Sequence, residues 1–304
     1  MSLEPEALQL TRTAFDDPTL PQAQTLTDGA GQPVLGSGVK VAFFAEGIDI
    51  NNPEFTRNGQ SIFADYKDFT GDGPNAPTGG GEAFLDASSI AAQGNTVYDI
   101  SKPVSAGGAG LFVNPAVNTG SCRIRVRGMA PSVSLYAMKV FPRASGQFDT
   151  VIAQAVEYAV LVDNVDILSL SLGGFQFPDT NNDPLVLAIQ AAVAAGKPAF
   201  LSTGDNGVFN TLGSPASNPN VIAMGGTTAL RSYAEAGFNG VQLGNGDYVS
   251  DNTSPIASSG FAEAGGRSVD AATGNTGQLG GTITDPVDEL VAIPYQYTVG
   301  PGNP

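Results

Sequence analysis

Apolar positions in this chain gather into short runs separated by turn-rich stretches. The run GVKVAFF (38–44) is continuous, as expected of a strand buried on both faces. SLYAMKVF (134–141), VDILSLSLGG (165–174), PAFLST (198–203) and NVIAMGGTT (220–228) read as further strands. Helical segments lie between them. EAFLDASSIAAQ (82–93) carries good helix formers and stops at Gly94-Asn95, a C-terminal signal. FDTVIAQAVEYAVLVDN (148–164) has helical period, with Asp149 the expected N-cap. DPLVLAIQAAVAAG (183–196) places Asp183 at the N-cap, Pro184 in the first turn and Gly196 at the C-cap. Residues 45–81 read as loop ending in GDGPNAPTGGG (71–81), and residues 94–128 as a long connection. Alternating strands and helices predict an α/β domain with a parallel sheet covered on both faces. Sites in such sheets collect at the carboxyl ends of the strands, here residues 45–49, 172–174 and 204–207. The pattern weakens after about residue 229 into Gly-, Ser-, Thr- and Asn-rich sequence.

Composition narrows the chemistry. The 304 residues include no His, no Trp and one Cys, Cys122. A Ser-His-Asp triad, a Cys-His pair and a His- or Cys-cluster metal site within this chain are therefore excluded. Acidic side chains outnumber basic ones 29 to 13, a formal charge of −16. That balance argues against a nucleic-acid partner, which normally meets a basic stripe. No apolar run approaches the roughly 18 residues that span a bilayer, so no membrane partner is expected. The start MSLEPEALQL has no basic region followed by an apolar one, so an exported form would have lost its signal.

Three groups of residues could carry chemistry. Glu82 and Asp86 stand four residues apart on a helix, which puts both carboxyl groups on one face, about 5–6 Å apart at Cβ. Such a pair titrates together, can share a proton and can act as a general base. The alternative is a solvated helix face, although no Lys or Arg balances the pair and it follows three glycines directly. Asp205, in STGDNG (202–207), ends a strand; it is either a turn residue or an acid aimed into a site. Held neutral by burial, it could donate a hydrogen bond to a developing oxyanion. Asp68/Asp72 and Asp179/Asn181/Asp183 offer oxygen ligands for calcium, but neither spacing fits an EF-hand loop, and turn or cap roles explain both. No other cofactor is indicated. The glycines at 71–81 lack the following Lys of a phosphate-binding loop. Cys122, beside Arg123 and Arg125, lacks a His base and reads as a structural thiol.

Taken in order, the segments resemble the subtilase/sedolisin superfamily of serine peptidases. The resemblance covers residues 38–270, with 1–37 an N-terminal extension and 271–304 an unassigned tail. It rests on GVKVAFFAEGIDINNPEF (38–55), GGGEAFLDASSIAAQGN (79–95), VRGMAPSVSLYAMKVF (126–141), VDILSLSLGG (165–174), LSTGDNG (201–207), GSPASNPNVIAMGGTT (213–228) and ASSGFAEAGGRSVD (257–270). It implies a subtilisin-like three-layer α/β fold and a protein or peptide substrate. It also implies a cleft lined by Leu170, Ser171, Leu172, Gly173 and Gly174, and an extracellular setting. The subtilase His position holds Glu82. The subtilase Asp position is Ala45, with Glu46 beside it, and the oxyanion Asn position is Asp205. This is the sedolisin arrangement, in which Glu82 is the base, Asp86 supports it and Asp205 serves the oxyanion.

Both families carry their nucleophile in Gly-Thr-Ser-x-x-x-Pro, which these 304 residues lack. Thr253-Ser254-Pro255 precedes the 257–270 segment, and GGTITDP (280–286) has Ile283 where Ser belongs. The expectation is a peptidase domain whose serine lies downstream. The alternative is an inactive relative that binds extended peptides by β-addition.

Overall fold

The computed structural model describes residues 27–73, 81–99, 123–125, 127–142, 149–174, 183–204, 212–225 and Ser258. Its central strands are β1 (Lys40–Ala45), β4 (Phe63–Asp68), β7 (Ser134–Lys139), β8 (Ile167–Leu170), β9 (Ala199–Ser202) and β10 (Ile222–Met224). They form one six-stranded sheet in the order β10-β9-β8-β1-β7-β4, and every neighbouring pair is parallel. Two small antiparallel pairs lie outside it, β2 (Thr56–Arg57) with β3 (Gln60–Ser61) and β5 (Tyr98–Asp99) with β6 (Arg123–Ile124).

Successive side chains of a strand point to opposite faces, and here both faces are covered. Val41, Phe43 and Ala45 of β1 join Leu135 and Ala137 of β7 beneath α1 (Glu82–Ala91), which contributes Ala83, Ala87 and Ala91. Ala42, Phe44, Tyr136 and Met138 face the other way, against α2 (Asp149–Leu161) and α3 (Pro184–Ala194), which supply Ile152, Val156 and Ile189. This is the three-layer α/β fold expected from the sequence. Phe43 and Phe44 are fully buried on opposite faces, worth about 1.5–3 kcal/mol each. The alanine stripe of α1 lets that helix sit low on the sheet, which matters because α1 carries Glu82 and Asp86.

The ends of the helices follow elementary rules in part. Asp183 caps α3 by accepting the Leu185 N–H at 2.8 Å, with Pro184 behind it. Gly196 adopts φ +82° just past the helix, a conformation glycine enters without strain. Asp149, expected as a cap, is the first helical residue of α2. At the far end of α1, backbone answers backbone. Gly128, Met129 and Ala130 donate their N–H groups to the carbonyls of Ala92, Ser89 and Ile90 at 2.8–2.9 Å. A Cβ on Gly128 would lie 2.3 Å from the Ala91 nitrogen, so only glycine permits this approach.

One expectation is corrected. Residues 45–81 do not form a continuous loop, because they contain the edge strand β4 and the hairpin β2–β3. β4 (FADYKD) is only partly buried, so it lacks the apolar run that marks the inner strands. The loop after β4 is tied down by a lysine. Lys139, at the end of β7, is fully buried and donates to Asp72 Oδ2 and Thr70 Oγ1, both at 2.6 Å, and to the Phe141 carbonyl at 3.2 Å. Asp68 lies 3.7 Å from the same ammonium. It also accepts from the Thr70 hydroxyl and amide and from the Gly73 amide. Asp68 and Asp72, weighed above as calcium ligands, thus surround an ammonium group. Of the second candidate set, Asp183 is the α3 cap, and Asp179 and Asn181 lie outside the described residues.

Candidate active site

The carboxyl ends of β1 and β8 and the N-terminus of α1 meet at one place. Glu82 is the first residue of α1, and Asp86 follows one turn later. The Ser171 hydroxyl, one residue past β8, donates to Glu82 Oε1 at 3.0 Å. Glu46, one residue past β1, accepts the backbone N–H of Glu82 on its Oε1 at 2.9 Å. Three carboxyl groups from two elements therefore converge. The ion pairs formed among the described residues are those of Lys139, and they reach none of the three.

This crowding changes Asp86. Burial first, then the negative charges of Glu82 and Glu46, push its carboxyl up from the ordinary value to about 7. Asp86 thus keeps a proton through the mildly acidic range. A protonated carboxyl beside a second carboxyl can store a proton, and the Ser171 hydroxyl donates to Glu82 Oε1.

The five residues expected to line the cleft divide by exposure. Leu170 and Leu172 are buried in the core on the α2/α3 side of the sheet, whereas Ser171, Gly173 and Gly174 are exposed. Strand alternation continues past the end of β8 as far as Gly173. The segment is anchored from behind, with Gly174 donating its N–H to the Ser214 carbonyl at 2.7 Å. A Cβ on Gly213 would meet the Gly174 oxygen at 2.7 Å. Asp205 lies outside the described residues. Its neighbour Gly204 has φ +100°, and its carbonyl accepts the N–H of the fully buried Ser258 at 2.8 Å. Ser258 is thereby brought to the end of β9. Among the described residues no group of three or more His, Cys, Asp or Glu could hold a metal ion.

Sequence reasoning noted Glu46 only as the neighbour of Ala45. Its contact with α1 depends on where β1 ends relative to a helix 36 residues later, and local pattern carries no signal for that.

The fold and site define an α/β domain with Glu46, Glu82 and Asp86 gathered at the carboxyl edge of a parallel sheet. Comparison with known proteins places it further. Residues 36–265 match the model of the subtilase family, Peptidase_S8, and the chain belongs to that family, as a serine peptidase domain. It is similar to subtilisin E of Bacillus subtilis (strain 168), 29% identical over 221 residues, or 70% of this chain and 47% of that protein. It is also similar to the minor extracellular protease Vpr of the same organism, 32% identical over 206 residues, or 66% of this chain and 22% of that protein. The chain thus spans about half the length, or less, of these curated relatives. Among solved structures, Sphericase aligns with a TM-score of 0.44 at 23% identity, covering 78% of this chain and 63% of that one. The prenylagaramide maturation protease PagA aligns with a TM-score of 0.45 at 20% identity, covering 74% and 60%. No helix among the described residues is long and apolar enough to cross a membrane.

Proposed function

We propose that this domain belongs to an extracellular serine-type endopeptidase that works in acid, with a Glu/Asp pair in place of histidine. The observation that carries the reading is the pairing on α1. Glu82 meets a hydroxyl at the carboxyl edge of the sheet, and Asp86, one turn behind it, stays protonated to about pH 7. In the proposed reaction Glu82 takes the proton of an attacking serine as its oxygen adds to the scissile carbonyl. Asp86 orients Glu82 and holds the second proton of the pair. Asp205, neutral in acid, donates to the oxyanion of the tetrahedral intermediate. Glu82 then returns its proton to the leaving amine, and water completes hydrolysis of the acyl-enzyme by the same route. An extended peptide would lie against the exposed Ser171, Gly173 and Gly174, with Leu170 and Leu172 fixing that edge from the core.

The test is hydrolysis of casein between about pH 3 and 8 by the form that carries a Gly-Thr-Ser segment, with and without Glu82→Gln. The expected result is an acidic optimum and a fall in kcat of roughly 10²–10⁴ for the variant. An unchanged kcat would remove Glu82 from the role of base. Peptide binding without turnover by every form would favour the inactive-relative reading.

A further inference from the structure

The end of the sheet away from Glu82 holds a second group of charged side chains. They gather where the amino end of β1 meets the turn between α2 and β8. Asp163 lies in that turn, and its Oδ2 is buried without a hydrogen-bond partner. A carboxyl oxygen kept from water is tolerated while the group is neutral. Once the group is ionised the same burial is costly, unless a donor reaches the oxygen.

Two lysines act on Asp163, and neither supplies that donor. Lys40, the first residue of β1, gives its Nζ to the main-chain carbonyl of Asp163 at 3.0 Å. The same ammonium lies 5.7 Å from the centre of the Tyr136 ring of β7. Lys67 of β4 holds its Nζ over the Tyr158 ring of α2 at 5.2 Å. The Tyr158 hydroxyl donates to Asp65 Oδ2 of β4 at 3.2 Å. No ion pair among the described residues joins either lysine to Asp65 or Asp163. Both cations thus rest on ring faces, where the attraction is real but modest.

Lys40 is held so that only its tip can move. Its N–H donates to Asp166 Oδ2 at 2.9 Å, and its carbonyl accepts the Asp166 N–H at 2.9 Å. The main chain is therefore fixed, while the ammonium carries three N–H groups on a flexible stem. We propose that Lys40 is a pH-driven switch: its ammonium rests on the Asp163 carbonyl and the Tyr136 ring while the Asp163 carboxyl is protonated, and it moves onto that carboxylate when the proton leaves. Residue 163 keeps the lysine in both states, through its main chain in acid and through its side chain nearer neutrality. Lys67 is the poorer candidate, being exposed and held at Tyr158, whereas Lys40 already touches residue 163. Burial and then the charge of Asp65 raise the Asp163 carboxyl to about 6, against the opposing pull of Lys40 and Lys67. The switch stands apart from the reading of Glu82 as base, because Lys40 begins β1 whereas Glu82 meets the residue just past the end of β8.

Proton NMR of the tyrosine rings and carbon-13 titration of Asp163, from about pH 4 to 8 on this chain, read the switch directly. The sequence contains no histidine, so no imidazole titrates in that range. The Asp163 midpoint should lie at about 6, and the Tyr136 ring signals should shift with the same midpoint as the ammonium leaves its face. Asp163→Asn should abolish that Tyr136 shift. Lys40→Met should abolish it too and move the Asp163 midpoint upward, because a cation that favours ionisation is gone. Lys67→Met should also raise the midpoint but leave the Tyr136 transition in place. Tyr136 signals that stay flat while Asp163 titrates would overturn the proposal, as would a transition that survives Asp163→Asn. A transition lost in Lys67→Met and kept in Lys40→Met would overturn it as well. If Lys40→Met does not fold, Asp163→Asn decides alone, since asparagine keeps the shape of the side chain and removes its charge.

Discussion

Two clusters of acidic groups stand at the same edge of the sheet, and they are built on opposite terms. Around Lys139, two aspartates, a threonine hydroxyl and a carbonyl enclose one fully buried ammonium. Around Asp86, three carboxyl groups meet with no ion pair among the described residues. In the first cluster charge is matched, and the contacts of Lys139 with Asp68, Thr70 and Asp72 tie β7 to β4 and the loop after it. In the second the charges are unmatched, so the system relieves repulsion by keeping a proton. A buried charge with partners holds structure; a crowded group without a counter-charge is free to exchange protons.

The largest expected effect comes from breaking the matched cluster. Lys139→Met should cost roughly 3–5 kcal/mol in urea unfolding at neutral pH, because Asp68 and Asp72 would lose the cation they surround. Burial pushes the Asp68 carboxyl up. The Thr70 and Gly73 hydrogen bonds and the Lys139 charge outweigh that, and they hold it below the ordinary value. The stability it contributes is present above the unfolded-state value near 4 and is lost as pH falls through the lower folded value. The deficit of the variant should therefore shrink only in strong acid.

The unmatched cluster should respond in the reverse sense. With Asp86 held up to about 7, the folded state binds a proton that the unfolded chain releases near pH 4. That contribution is full below about pH 4 and disappears as pH rises to about 7. Asp86→Asn should flatten this slope in thermal unfolding measured across the interval and leave the acid limb set by Asp68 in place. Asp163, raised to about 6 by burial and the charge of Asp65, supplies only the lower part of the interval, so if the slope between about pH 6 and 7 survives the substitution, the contrast between the clusters fails.

Asp183→Ala supplies the smallest effect and a yardstick. It removes a single carboxylate with an ordinary capping task, so thermal unfolding should show a loss of about 1 kcal/mol. Its loss should not flatten the Asp86 slope.

The legible parts of this molecule were those whose cause is local. Apolar runs revealed β1 and β7, which are buried on both faces, and β8 and β9, which are buried on one face and half-buried on the other. The Asp183-Pro184 start of α3 was legible from capping chemistry. The spacing of Glu82 and Asp86 alone placed them on one face of a helix. What stayed hidden depends on partners far along the chain. β4 is an edge strand, and its polar alternation resembles a loop. Lys139 sits in the run SLYAMKVF, where nothing announces that its charge is met by Thr70 and Asp72. Glu46 follows a strand as any turn residue would, and only the arrival of α1 beside it gives it a task.

The small pair formed by β5 and β6 has a consequence for how such a domain can change over time. Tyr98 stands opposite Ile124 and Asp99 opposite Arg123, and the bridge between Gln93 and Arg127 continues the pairing of the same two stretches. The cost of closing a loop grows only slowly with its length. A change in the number of residues between Asp99 and Arg123 therefore adds little to the closure cost. Length can be gained or lost at that neck at small entropic cost.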